Sequence, residues 1–124
     1  MKPLLSQNDI DNLLNRVERG VDAQNLSIKL ISPIKMEFRL SVQDSHRDFD
    51  WIDLIFEIDG VSDARLLEES QLLHVDMSEG ISLINNSCVS GICLGTYNDT
   101  SGFRDSTLFI LGESLKYKEA PFSA

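Results

Sequence analysis

Apolar residues near the start of the chain recur with the spacing of a helix. Four of them follow the i, i+3, i+4, i+7 rule that places side chains on one helix face, namely Ile10, Leu13, Leu14 and Val17. Ser6 precedes this run and is a good capping residue for the first turn. The pattern predicts an amphipathic helix within residues 1–20, with polar side chains such as Arg16 facing water.

Beyond residue 20 the apolar positions alternate, which is typical of β-strands. Residues 26–30 alternate first, and the strictest alternation covers residues 34–42. Another run, residues 52–58, ends at the turn dipeptide Asp59–Gly60. Further strands are expected at 64–69 and 72–77, and short apolar runs follow at 81–84, 88–97, 107–111 and from Leu115 onward. The polar residues 98–105 are expected to form a loop.

A helix followed by about seven to nine short strands indicates a mainly β fold of the α+β class. We expect either one curled antiparallel sheet or a two-sheet sandwich. Because no βαβ alternation is present, a parallel sheet is disfavoured. The chain is interpreted as a single domain, 1–124, with the helix in residues 1–20 and the antiparallel β domain in residues 24–122.

Composition places the chain among ordinary globular domains. It has 124 residues, of which 42% are hydrophobic, enough for a core that needs no disulfide or metal. The first residues lack a signal-peptide pattern, and no apolar run approaches the roughly 20 residues of a membrane span. A cytoplasmic protein is therefore expected. Cys88 and Cys93 lie five residues apart in an apolar stretch, and we expect both to be buried thiols.

The sequence offers no recognisable catalytic constellation. His46 lies among aspartates but lacks the glycine and distal glutamate of a calcium loop. His74 and Asp76 would share one face of a strand, as a general base and its orienting carboxylate would require, but an ordinary half-exposed pair is the favoured interpretation. No phosphate-binding loop or nucleophile elbow is present. We predict a non-enzymatic protein without cofactor or metal.

Net charge is −9, from 20 acidic and 11 basic residues. This charge disfavours nucleic acids and anionic membranes as partners and favours a basic protein. The densest acidic stretch surrounds the single tryptophan, where an aromatic anchor and charges could bind a partner. A solvated sheet face is the alternative. The candidate partner-binding residues are Asp48, Asp50, Trp51, Asp53, Glu57 and Asp59.

Residues 5–14, LSQNDIDNLL, resemble the opening motif of flagellar motor switch proteins. In that family the motif binds a response regulator. The resemblance implies an adaptor of chemotaxis or the flagellar motor that docks through its N-terminal helix. The same residues are also what a capped amphipathic helix requires, so the motif has a purely structural explanation as well.

A looser resemblance covers residues 51–122 and connects the chain with small bacterial immunity proteins encoded beside polymorphic or contact-dependent toxins. It rests on the order and spacing of DLIFE at 53–57, GV at 60–61, VDMSEGI at 75–81, LFI at 108–110 and LKYKEAPF at 115–122. It implies a compact domain that blocks one cognate toxin and carries no catalytic residues. The leading hypothesis is an immunity protein with an acidic binding surface. An adaptor or a small-ligand-binding β domain is the alternative.

Overall fold

The computed structural model describes residues 1–86 and 88–122, which form two antiparallel sheets and three short helices. The helices are α1 (Gln7–Arg16), α2 (Glu69–Leu72) and α3 (Thr100–Asp105). The strands are β1 (Lys2–Pro3), β2 (Gln24–Ser32), β3 (Lys35–Asp44), β4 (Asp50–Asp59), β5 (Asp63–Arg65), β6 (Ile81–Asn85), β7 (Ser90–Leu94), β8 (Phe109–Gly112) and β9 (Ser114–Pro121).

The five-stranded sheet has the order β1-β9-β4-β3-β2, and the four-stranded sheet has the order β5-β8-β7-β6. The predicted mainly β class with an N-terminal helix is confirmed. Of the two expected architectures, the structure has the second, with two separate sheets instead of one curled sheet. The chain changes sheet at one corner, where β4 leads to β5 and β8 leads to β9. There the Glu113 amide donates a hydrogen bond of 2.8 Å to the Asp59 carbonyl.

The pairing of β3 with β4 explains why the strongest alternation in the sequence forms the centre of the fold. The two strands pair without a register shift from Lys35 opposite Asp59 to Asp44 opposite Asp50. Phe38 therefore lies opposite Phe56 on the face that meets the second sheet, and both side chains are fully buried. Each strand contributes every second residue to this face, so one apolar stripe becomes one layer of the core.

Helix α1 begins where the sequence indicates. The Ser6 hydroxyl accepts a hydrogen bond of 3.1 Å from the Asp9 amide, which satisfies one of the unpaired amides of the first turn. Ile10, Leu13 and Val17 are buried in the main core, and α1 contacts β6. The helix thus covers the edge of the four-stranded sheet with its apolar face, as the spacing predicts.

A smaller cluster lies on the outer side of the four-stranded sheet, beneath α3. Phe103 of α3 is fully buried there against side chains of β7 and β8. The cluster consists of Cys93, Phe103, Phe109 and Leu111, with Ile84, Val89 and Tyr97 partly buried around it. The four-stranded sheet is therefore covered on both faces, whereas the outer face of the five-stranded sheet meets solvent.

Three sequence predictions differ from the structure. The expected strand 64–69 is shortened to β5, because Glu68 and Gln71 form a capping box that starts α2. The expected strand 72–77 is absent, since α2 ends at Leu72 and a turn with irregular backbone follows it. The expected loop 98–105 contains α3, since the Asp99 carboxylate accepts a hydrogen bond of 2.7 Å from the Gly102 amide. A side-chain cap thus decided the local structure at 64–69 and at 98–105.

We predict that Gly112→Ala destabilises the corner between the sheets. A Cβ atom at this position would lie 2.7 Å from the Asp59 carbonyl oxygen and 2.8 Å from Ile58 Cγ2. Because the first neighbour is backbone, relief requires movement of β4, and we expect a loss of about 1–3 kcal/mol in urea denaturation. The control is Gly102→Ala in α3, where the nearest atom belongs to the Tyr97 side chain and alanine favours the helix. Equal losses for both variants would contradict this account.

Candidate partner-binding site

The turn between β3 and β4 holds two successive residues in the left-handed backbone region. Asp48 has φ 54° and Phe49 has φ 63°, a conformation that a bulky side chain rarely adopts. The Phe49 amide donates to the Asp44 carbonyl at 2.9 Å, and Gln43 Nε2 donates to the Phe49 carbonyl at 3.2 Å. These bonds hold the turn while 47% of the Phe49 surface stays exposed.

Two further aromatic residues lie at the same end of the five-stranded sheet. Trp51 is the second residue of β4 and is half-buried. Its ring centroid lies 5.9 Å from that of Phe122, which follows β9 and is 39% exposed. We call Phe49, Trp51 and Phe122 the aromatic end of the sheet. Two of its three rings are exposed, which is unusual for phenylalanine.

Exposed charges surround the aromatic end. The side chains of Asp48 and Asp50 are exposed, and within residues 1–86 and 88–122 neither carboxylate forms an ion pair. Arg47, also exposed, is one residue away. The carboxylates of Asp48 and Asp50 therefore remain available to a partner.

Arg16 of α1 holds the start of the β3–β4 turn by binding Asp44, the last residue of β3. Arg16 Nε donates a hydrogen bond of 2.8 Å to the fully buried carboxylate of Asp44, and the same guanidinium binds Glu119 of β9. The prediction that Arg16 faces water is wrong, because the burial of Asp44 requires a cation. The hydrogen bond from Arg16, together with one from the His46 amide, holds the pKa of Asp44 below its ordinary value. The Ser45 hydroxyl also donates to the Arg16 carbonyl at 2.8 Å.

The other three candidate acids share the outer face of β4 with Trp51, as the alternation predicts, but each has a basic neighbour. Asp53 is 1% exposed, and its carboxylate accepts hydrogen bonds from Arg39 at 2.7 Å and from the Ser41 hydroxyl at 2.6 Å. Lys35 Nζ lies 3.5 Å from carboxylate oxygens of both Glu57 and Asp59. β3 thus gives Asp53 a cation of its own and gives Glu57 and Asp59 one ammonium group to share.

Charge on the outer face of the five-stranded sheet is nearly balanced. The register places five basic residues there, Lys29, Lys35, Arg39, Lys116 and Lys118, with four acidic residues, Glu37, Asp53, Glu57 and Asp59. Among them Ile55 is only 4% exposed. The negative charge lies elsewhere. Residues 60–113, which build the four-stranded sheet and its connections, contain eight acidic and two basic residues.

Some of these acids line a cleft of about 390 Å³ beside the four-stranded sheet. The cleft contains His74, Asp76, Glu79, Tyr97 and Asp105, which come from three separate segments of the chain. The expectation that His74 and Asp76 share a strand is wrong, because both lie in the connection between α2 and β6. Asp76 instead accepts a hydrogen bond of 2.9 Å from the Ser78 amide, which lowers its pKa.

The helix that carries the motor-switch resemblance has its apolar face inside the protein. Ile10 and Leu13 are buried in the main core, and Leu5 is the one large apolar residue of the motif that is exposed, at 73%. A helix that binds in a groove inserts its apolar face into the partner. In this structure that face is already occupied by the core.

The two cysteines differ in environment. Cys93 is fully buried, as expected, and burial raises its pKa to about 12. Cys88 is exposed, so the expectation that both are buried is wrong for this residue. It lies in the connection between β6 and β7, outside the covered strands, and no disulfide joins the two thiols.

Within the described residues, no group of three or more histidine, cysteine or acidic side chains is placed to hold a metal ion. None of the helices in this part of the chain has the length and apolar character needed to cross a membrane. Comparisons of the sequence and the structure with protein-family models, curated proteins and solved structures gave no match.

Sequence reasoning identified Asp48, Asp50 and Trp51 at the aromatic end but missed Phe49 and Phe122. Phe49 is the one large apolar residue in the polar connection 44–50, and this isolation is a signal in the sequence. Phe122 carries no such signal, since its contact with Trp51 depends on the pairing of β4 with β9.

We predict that Arg16→Met lowers the free energy of unfolding at neutral pH by about 3 kcal/mol, because Asp44 stays buried without its cation. The lowered pKa of Asp44 means that the pair stabilises the fold above the ordinary value of 3.8 and loses this effect as pH falls below it. The cost of Arg16→Met, measured by urea denaturation at several pH values, should therefore shrink in acid. Lys35→Met, which removes a more exposed cation, is the control and should cost less. A cost independent of pH would contradict the role of Asp44.

We also predict that a thiol reagent such as 5,5′-dithiobis(2-nitrobenzoate) modifies one cysteine rapidly in the folded protein and both after denaturation. Cys88 is exposed, whereas Cys93 is buried and its raised pKa leaves little thiolate at neutral pH. Mass spectrometry of the modified protein should locate the fast label on Cys88. Rapid labelling of Cys93 in the folded protein would contradict the cluster beneath α3.

Proposed function

We propose that this chain is a non-enzymatic protein-binding module of the immunity type, which neutralises a cognate toxin by direct contact. The aromatic end, rather than the full acidic face of β4, is the proposed contact surface. The observation that carries the proposal is the exposure of Phe49 on a left-handed backbone beside the Trp51–Phe122 pair.

The exposed position of Phe49 has a cost in folding free energy. A phenylalanine in the left-handed region costs on the order of 1–3 kcal/mol. Its exposed ring also lacks the favourable free energy that burial of apolar surface would provide. Binding would recover that free energy, because aromatic side chains at the centre of an interface contribute much of its binding energy. Because the Phe49 amide and carbonyl are both hydrogen-bonded, its backbone has little further conformational entropy to lose on binding.

Electrostatics indicates the kind of partner. Asp48 and Asp50 form an acidic rim beside the aromatic end, and the net charge of −9 extends the attraction beyond the contact itself. A toxin that attacks nucleic acid needs a basic surface for phosphates, and an acidic protein can occupy or flank that surface. The proposed partner is therefore a basic nucleic-acid-cleaving domain. The acids of the rim would mainly accelerate encounter.

The first experiment is an affinity purification of the tagged protein together with the products of adjacent genes, followed by calorimetry on the recovered partner. We predict that Phe49→Asn, which removes the ring but suits the left-handed backbone, weakens binding by about tenfold or more. Trp51→Ala should have a similar effect. Asp48→Lys combined with Asp50→Lys should slow association and reduce its dependence on salt.

The matched control is Glu57→Lys combined with Asp59→Lys, which reverses the same number of charges further along β4. Because Glu57 and Asp59 share an ion pair with Lys35 and lie away from the aromatic end, the control should affect binding less than the change at Asp48 and Asp50. A larger effect of the control would move the contact to the middle of β4. Unchanged affinity for Phe49→Asn would refute the aromatic end as the binding surface.

A further inference from the structure

Two exposed carboxylates flank the exposed ring of Phe49. Asp48 precedes it and Asp50 follows it, in the turn that leads into β4. Consecutive Cα atoms are about 3.8 Å apart, so both carboxylates and the ring belong to one small patch. We call Asp48, Phe49 and Asp50 the turn patch.

The cations closest to the turn patch leave it unoccupied. Arg47 is exposed, and among the residues that the structure describes it forms no ion pair. Arg16, which holds the start of the turn, is already bound to Asp44 and Glu119. The negative charge of the turn patch is therefore left for a group from another molecule.

The cost of desolvation determines which kind of side chain can cover this patch. An apolar side chain over the Phe49 ring would remove water from Asp48 and Asp50 without giving either carboxylate a partner, which is unfavourable. A cationic side chain in the same place interacts with the face of the ring and with the carboxylates together. The turn patch is therefore complementary to a cation.

Of the two common cationic side chains, arginine fits this arrangement better than lysine. The guanidinium group is planar and stacks on an aromatic ring, and its five N–H donors spread outward in that plane. One group can therefore cover the ring and reach carboxylates on two sides of it. The ammonium group of lysine is a compact charge that holds its water more strongly.

Gln43 of β3 adds a hydrogen-bond acceptor beside the patch. Its Nε2 atom donates to the Phe49 carbonyl at 3.2 Å, which fixes the orientation of the side-chain amide. The side chain is exposed, and the register places Gln43 directly opposite Trp51. The Oε1 atom can thus accept a hydrogen bond from a guanidinium group that lies over the aromatic end.

We propose that the turn patch binds an arginine side chain of the partner. The guanidinium group stacks on the Phe49 ring, and its N–H groups donate to the carboxylates of Asp48 and Asp50. This inference rests on the proposed function, because it names the side chain that a basic partner places at the aromatic end. A surface that binds phosphate backbones carries arginine and lysine side chains, so the proposed partner has the required group.

Tryptophan fluorescence of the purified chain tests the assignment without a toxin, because Trp51 is the single tryptophan and lies close to Phe49 in the sequence. The probes are the peptides hexa-arginine and hexa-lysine, which carry the same number of side-chain charges. Hexa-arginine should change the emission in a saturable way, with a Kd about fivefold lower than that of hexa-lysine or less. Phe49→Leu, which keeps an apolar side chain but removes the aromatic face, should reduce this ratio to about two.

Removal of the carboxylates gives a second measurement. Asp48→Asn combined with Asp50→Asn should weaken hexa-arginine binding by about tenfold. The matched control is Glu57→Gln combined with Asp59→Asn, which removes two charges further along β4 and should weaken binding by less than about threefold. Equal affinity of the wild-type chain for the two peptides would overturn the proposal, and so would equal losses in the two double variants.

The result of these titrations is separate from the result of the toxin experiment. A toxin that binds through the aromatic end, while the two peptides bind alike, would overturn the assignment of arginine and leave the proposed function in place. A clear preference for hexa-arginine in a chain that captures no toxin would support the assignment of arginine and overturn the proposed function.

Discussion

The burial of the Asp44 carboxylate is the constraint on which the arrangement of this protein depends. An ionised group without solvent requires a cation and hydrogen-bond donors, and Arg16 supplies both from the last turn of α1. The contact joins the helix, the end of β3 and, through Glu119, strand β9. It therefore fixes the helix over the core and holds the base of the turn that presents Phe49. The packing of α1 on the core and the position of the proposed contact surface therefore both depend on the ion pair of Arg16 and Asp44.

Charge is divided unevenly between the two sheets, and this division bears on the proposed function. On the open face of the five-stranded sheet, basic side chains from β3 and β9 balance the acids of β4. The excess of acid belongs to residues 60–113, around the four-stranded sheet. A basic partner is attracted by the whole molecule but finds exposed rings at one end only.

Local patterns were sufficient where a segment repeats one period over many residues. The helix spacing from Ile10 to Val17 and the alternation through β3 and β4 each specify a buried face, and the structure confirms them. The predictions failed at 64–69 and 98–105, where segments are short and two alternatives bury similar surface. There the capping carboxylates of Glu68 and Asp99 start helices. A cap is visible in sequence, but its effect depends on the sheet that the helix covers.

The sequence by itself determined the fold class, the two long central strands and the common face of Trp51, Asp53, Glu57 and Asp59, because alternation along one strand is a local property. Only the tertiary structure decided which of these residues are available to a partner. Arg39 neutralises Asp53 and Phe122 reaches Trp51 because strand order and register bring distant segments together. Alternation assigns a residue to a face, whereas its neighbours on that face come from other strands, and their register is set by the packing of the whole core.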